Sequence, residues 1–277
     1  MFINQIEQRI SIRTYQENEL KKEDEFKITH LIEKSKSWVG PCGSSIHPFF
    51  LIPKKSREQE RIGTYGFVKN APAYFGASTK NSKNEIIDFG YIFEKLILEL
   101  TELQFGTVWL GGTFHRSQFS HFCINDEFIP AISPVGYEDE KSYTEKIIRI
   151  AAKSNRRKRI DEFVFINDFS HNLNEDHLVL HQIFRYVQLA PSASNKQPWR
   201  FLIKNNEIHL YLDRTPKYAE KLPFDIQYLD MGIAIYHLEC AFIDHKINYK
   251  VSSSSNTLEI TPFEYITSFI LDDGFIS

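Results

Sequence analysis

Arg9-Ile10-Ser11-Ile12-Arg13 alternates polar and apolar residues, so an extended backbone turns Arg9, Ser11 and Arg13 to one side. Two guanidinium groups flanking a hydroxyl suit a phosphate, which arginine binds bidentately while the hydroxyl adds a donor. An exposed amphipathic strand has the same pattern. Residues 190–201, Ala-Pro-Ser-Ala-Ser-Asn-Lys-Gln-Pro-Trp-Arg-Phe, carry a second signal. Small residues leave the backbone bare enough for its N–H groups to approach a flat ligand, and the prolines stiffen both ends. Ser192, Ser194, Asn195 and Gln197 add side-chain donors and acceptors. Gly106-Thr-Val-Trp-Leu-Gly-Gly112 ends in two glycines that permit either close approach to a ring or a tight turn. The compact basic run Arg156–Arg159 can complete a phosphate site or simply face solvent. Neither a nucleophile–His–Asp constellation nor metal-ligand spacing emerges, so no catalytic residue and no metal is expected.

The elements that position these groups come in two sets. Residues 40–52 align without a gap on 190–202: Pro41 falls on Pro191, Ser44 on Ser194, Pro48 on Pro198 and Phe49 on Trp199. A second window aligns Asp88, Gly90 and Leu96 with Asp230, Gly232 and Leu238. Two windows in the same order favour a tandem duplication. Both second windows read as long buried helices, over 85–105 and 226–246, each with a glycine near its start. A glycine inside a helix costs about 1 kcal/mol relative to alanine, so its presence in both copies predicts close approach of another helix. Further helices are expected near 24–37, 144–155 and 175–189. Strands are expected at 48–53, 71–77, 131–137, 199–204, 207–213 and 267–272, with Lys204-Asn205-Asn206 as a tight hairpin turn. The polar stretch 166–176 is the natural join, dividing the chain into halves at 1–170 and 171–277. The class is mixed α+β, with central helices against antiparallel-containing sheets.

Composition narrows the function. A net charge of −3 gives no reason to expect nucleic acid or an anionic membrane. Three scattered cysteines argue against a disulfide framework and fit a reducing, cytoplasmic setting. The N-terminus lacks a signal-peptide pattern, and the long apolar stretches carry charges that exclude a membrane span.

Taken in order, Arg-x-Ser-x-Arg, Gly-Thr-x-Trp-Leu-Gly-Gly, Pro-Val-Gly-Tyr (134–137), Arg157-Lys158 before Asp161 and Glu162, and the 190–199 loop resemble the nitroreductase-like flavoproteins. The intact loop comes late and a worn copy, Gly-Pro-Cys-Gly-Ser-Ser-Ile-His-Pro-Phe (40–49), comes early. That arrangement is similar to the tandem branch, in which one chain folds as two nitroreductase-like halves and forms an intramolecular pseudo-dimer. The resemblance spans about residues 5–250. It implies an FMN site shared between halves: Arg9, Ser11, Arg13, Leu110, Gly111, Gly112, Arg157 and Lys158 from the first, and Pro191, Ser192, Ala193, Ser194, Asn195 and Gln197 from the second. In this scheme Arg9 and Arg157 hold the phosphate, Ser11 the phosphate or ribityl chain, and Arg13 the pyrimidine edge. Ser192–Asn195 contact ribityl and ring. The mirror-image site has no Arg-x-Ser, and Ser45, Ile46 and His47 replace Asn195, Lys196 and Gln197, so one FMN per chain is expected. The resemblance further implies ping-pong hydride transfer from NAD(P)H to a small nitro-aromatic or quinone-like acceptor, by a monomer. Alternatives are an FMN-binding pseudoenzyme, or another flavin reaction such as dehalogenation, flavin fragmentation or azoline oxidation. Trp199 is expected to be structural, and Trp109 to pack beside the ring or in the core, with the core favoured.

Overall fold

The order of elements follows the hydrophobic pattern in the computed structural model, which describes residues 1–53, 66–139, 156–216, 218, 222–252 and 260–272. A short helix, α1 (Phe2–Gln8), precedes α2 (Lys22–Ser35), which carries Glu23, Asp24 and Glu25 at the positive end of its dipole. Strands β1 (His47–Leu51) and β2 (Ala73–Ser78) lead into the long helix α3 (Lys83–Glu102). Ser82 caps α3: its hydroxyl oxygen accepts the Glu85 N–H, and the hydroxyl donates to the Glu85 carboxylate. With β3 (Gly106–Thr107) and β4 (Ile132–Gly136) the first sheet is complete, antiparallel throughout in the order β1-β2-β4-β3.

The second sheet is built from β5 (Val164–Ile166), β6 (Trp199–Lys204), β7 (Glu207–Leu212), β8 (Tyr249–Ser252) and β9 (Glu264–Leu271). Its order is β5-β6-β7-β9-β8, with β5 parallel to β6 and the other pairs antiparallel. Helix α4 (Leu178–Leu189) lies between β5 and β6 in sequence, and α5 (Gln227–Asp244) between β7 and β8. Asn205 and Asn206 make the expected hairpin, both with positive φ, as the tightest turn compatible with strand twist requires. The expected helix at 144–155 lies outside the described residues. Helix α1 is seven residues, too short for a periodic signal, yet Phe2, Ile3 and Ile6 pack into the core of the second sheet. Strand β5 also joins that sheet, so chain on both sides of residue 170 contributes to it. No helix among the described residues is long and apolar enough to cross a membrane.

One large core lies between the first sheet, α2 and α3; another lies between the second sheet, α4 and α5. The two meet where α3 packs on α5. A Cβ built on Gly90 would sit 2.3 Å from the carbonyl oxygen of Leu229, and one on Gly232 would sit 1.9 Å from that of Ile87. The helices therefore touch backbone to backbone, which is the close approach the paired glycines predict. Neither contact can be relieved by rotating a side chain. Gly232→Ala is expected to destabilise the protein by roughly 2–3 kcal/mol or to block folding, read from the urea midpoint. An alanine at the exposed Lys36 position, away from the crossing, should leave that midpoint within experimental error.

Candidate functional site

A cavity of about 950 Å³ opens beside the crossing of α3 and α5. Three segments wall it. Residues 9–13 leave α1 in extended form, pinned by the Ile12 N–H on the Thr107 carbonyl at 2.9 Å, and present Arg9, Ser11 and Arg13 to the cavity. Buried Ile12 turns into the core behind the first sheet, whereas Ile10 lines the cavity together with the polar residues, so the alternation holds only in part. Gly111 and Gly112 form the second wall, where a Cβ on Gly111 would meet Ile226 at 2.8 Å. Arg116 holds this turn by donating to the carbonyls of Gly111, Ile129 and Pro130. The third wall is Pro191, Ser192, Ala193, Ser194 and Asn195, with Arg157 beside it.

Three of the expected site residues have other places. Leu110 is buried in a small core behind the first sheet and pairs with Ile132. Gln197 is buried and accepts from the Lys158 N–H at 2.8 Å, while Lys158 Nζ donates to the Gln197 carbonyl at 3.2 Å. None of the three lines the cavity. Lys158 and Gln197 serve the loop instead. Trp109 does line it, contrary to a purely core placement, and also packs edge-on against Phe93 with ring centroids 4.7 Å apart. Trp199 is fully buried, as expected of a structural residue.

The loop itself is held in an uncommon shape. Ser194, Asn195 and Gln197 all have φ near +50°, a region that non-glycine residues rarely enter. Side chains from 156–158 enforce it. Arg157 donates to the carbonyls of Leu189 at 3.1 Å and Ala190 at 2.8 Å, capping the end of α4, and to Asn195 Oδ1 at 3.0 Å. Asn195 and Gln197 in turn donate to the Arg156 carbonyl. Arg157 thus comes from before the join in sequence but is bonded to the late loop. Arg159 is paired with Asp161, so the basic run is divided among separate partners and forms no contiguous patch.

Electrostatics single out one end of the cavity. Arg9 is 8% exposed, its Nε lies 3.8 Å from Glu94 Oε1, and that buried Nε makes no hydrogen bond. Burial lowers the pKa of Arg9, only partly offset by Glu94. Arg157 is pushed down to about 10, by burial first and by repulsion from Arg9 second. Glu94 does not neutralise the two cleanly because it is shared. It accepts from half-buried Trp109 Nε1 at 2.7 Å and faces His237 Nε2 at 2.9 Å, with Glu94 and His237 fully buried. His237 Nδ1 faces the Tyr186 carbonyl at 2.9 Å, which can only accept, so Nδ1 carries a proton. The Arg9 and Arg157 guanidiniums lie beside this cluster, and two guanidiniums at one end of a cavity suit an anion such as a phosphate.

A family model described as "Putative TM nitroreductase" matches residues 2–242. The chain belongs to this family. The crystal structure of a putative nitroreductase from Thermotoga maritima is similar over 98% of this chain and 93% of that one, at 21% identity and a TM-score of 0.60. A nitroreductase with bound FMN from Bacteroides fragilis matches 51% of this chain and 90% of its own, at 16% identity and a TM-score of 0.38. An FMN-dependent nitroreductase from Clostridium difficile matches 50% and 89%, at 19% identity and 0.39. No curated protein matches the sequence.

Within this nitroreductase-family chain two carboxylates do work that motif reading missed. Asp88 accepts the N–H groups of Cys42 and Ser44, both at 2.7 Å, one on each oxygen. Asp230, its aligned counterpart, accepts the Ala193 N–H at 2.9 Å. The signal was present as the aligned Asp-x-Gly in both helix windows. Burial pushes Asp230 up to about 8 from the ordinary 3.8, with the Ala193 N–H opposing and Asp225 adding. The folded protein therefore keeps a proton that the unfolded chain releases, and Asp230 costs stability as pH rises from about 4 towards 8. Asp230→Asn should remove that cost. The stability of the wild type relative to the variant should fall by at least ~1 kcal/mol between pH 5 and 8 in urea unfolding.

Proposed function

We propose that this chain is an FMN-dependent oxidoreductase that carries hydride from NAD(P)H to a small nitro-aromatic or quinone-like acceptor. The observation that carries the reading is the pair of guanidiniums, buried Arg9 and half-buried Arg157, beside the Glu94–His237 pair at one end of a large cavity. A terminal phosphate fits that end, since a dianion matches the charge and can supply the partner that Arg9 Nε lacks. A flat ring fits the remainder, between the bare turn at Gly111-Gly112 and the Ser192–Asn195 loop. Family membership and the matching motifs support the same cofactor.

When bound, FMN supplies two-electron hydride chemistry in a ping-pong cycle. The chain's own residues bind and orient. Arg9 and Arg157 take the phosphate, Ser11 the phosphate or ribityl chain, and Arg13 the pyrimidine edge, where positive charge favours the reduced, anionic ring. Loop residues Ser192–Asn195 close the other side. We assign one site per chain, shared between tandem halves at 1–170 and 171–277, in a cytoplasmic monomer with no nucleic-acid or membrane partner. At the worn loop, Ile46 is buried and His47 is bonded to Glu127 rather than presented to a ligand, which supports loss of the mirror site.

The protein as purified, or after incubation with FMN, should show flavin absorbance at one FMN per chain. Arg9→Ala and Asn195→Ala should each weaken FMN about tenfold or more, while Ser45→Ala should not. Anaerobic NADH or NADPH should bleach the flavin. A protein that ignores FMN, or binds two per chain, would contradict this reading, and a flavin that stays yellow would favour a binding role.

A further inference from the structure

Asp230 differs from its counterpart Asp88 in one respect that bears on the ligand. Both carboxylates lie on a buried helix and hold a loop by its backbone. Asp88 has an N–H on each oxygen, from Cys42 and Ser44. Asp230 has one, from Ala193 on Oδ1; its Oδ2 is buried with no partner, in a side chain only 2% exposed. The aligned partner of Ser44 is Ser194, which sits in the left-handed region and does not donate to Asp230. The loop at the worn site thus satisfies its carboxylate, whereas the loop at the cavity leaves half of its carboxylate open. Asp230 lines that cavity.

A bare carboxylate oxygen buried without a donor is costly, and a neutral acid is the form that lowers the cost. We propose that Asp230 is a neutral carboxylic acid whose Oδ2 hydroxyl donates a hydrogen bond to an acceptor atom, a carbonyl oxygen or imine nitrogen, of the ring bound in the cavity. This rests on the flavin reading above and adds a ring-recognition residue to it. The raised pKa of Asp230, to about 8, agrees with the geometry.

Among the described residues no donor reaches Oδ2. Asp225, ahead of α5, adds negative charge, and Tyr218 gives its hydroxyl hydrogen to Ser194 Oγ at 2.8 Å. Helix α3 meets this turn with Ile87, Gly90 and Tyr91, whose hydroxyl is bonded to Glu239. Arg9, Arg13 and Arg157 line the same cavity. A deprotonated Asp230 still accepts the Ala193 N–H and so keeps the loop in place. It loses only the ability to donate. Asparagine retains both functions at every pH.

The test is FMN binding, followed by quenching of flavin fluorescence at pH 7 and pH 9.5, in wild type and Asp230→Asn. Wild-type affinity should fall about fivefold more than that of Asp230→Asn between the two pH values. The comparison removes the titration of Lys158 and Arg157, which is common to both proteins. Infrared spectra of the FMN-free protein at pH 7 should show a protonated-carboxyl band that Asp230→Asn lacks. An equal fall in both proteins, a rise with pH in wild type alone, or absence of the band would overturn the proposal. Failure of wild type to bind FMN at either pH would overturn the flavin reading itself, and the infrared band still reports the state of Asp230.

Discussion

Helices α3 and α5 touch through glycine, and the site follows from that contact. With no side chain at Gly90 or Gly232, the two backbones close to a separation that no other residue permits. Residues on the two helices then meet directly across the seam. Glu94 from α3 reaches His237 from α5, and the pair lies next to Arg9. About two turns away, Asp88 and Asp230 each reach out to hold one loop. The seam is also the contact where the cores beneath the two sheets meet.

Several features of the cavity wall cost stability, as strained and unpaired groups at binding sites do. Arg9 is buried with an unpartnered Nε, Arg157 is half-buried beside it, and three residues of the loop sit at positive φ. The worn loop shows the alternative. There the one residue with positive φ is a glycine, Gly43, and the carboxylate has an N–H on each oxygen.

Much of this was legible in residue order. Period-two alternation gave Arg9, Ser11 and Arg13 a common side, and the paired glycines announced the helix crossing. The hairpin at Asn205-Asn206 was readable because only a few residue types accept two successive positive φ values. What stayed hidden depends on long-range packing. Helix α1 is too short for a period, and its docking on the second core is decided by Phe2, Ile3 and Ile6 meeting residues far along the chain. Lys158 and Gln197 look like ligands by type, but they bond to each other because their segments lie side by side. The Glu94–His237–Trp109 cluster joins three segments that share no sequence motif, so nothing in the order of residues could assemble it.

On the proposed reading, positive charge at one end of the cavity selects a phosphate carried by a flat ring. Riboflavin has the same ring and ribityl chain without the phosphate, so titrating the protein with FMN and with riboflavin isolates the phosphate's contribution. FMN is expected to bind on the order of 100-fold more tightly than riboflavin. Equal affinities for the two would contradict it.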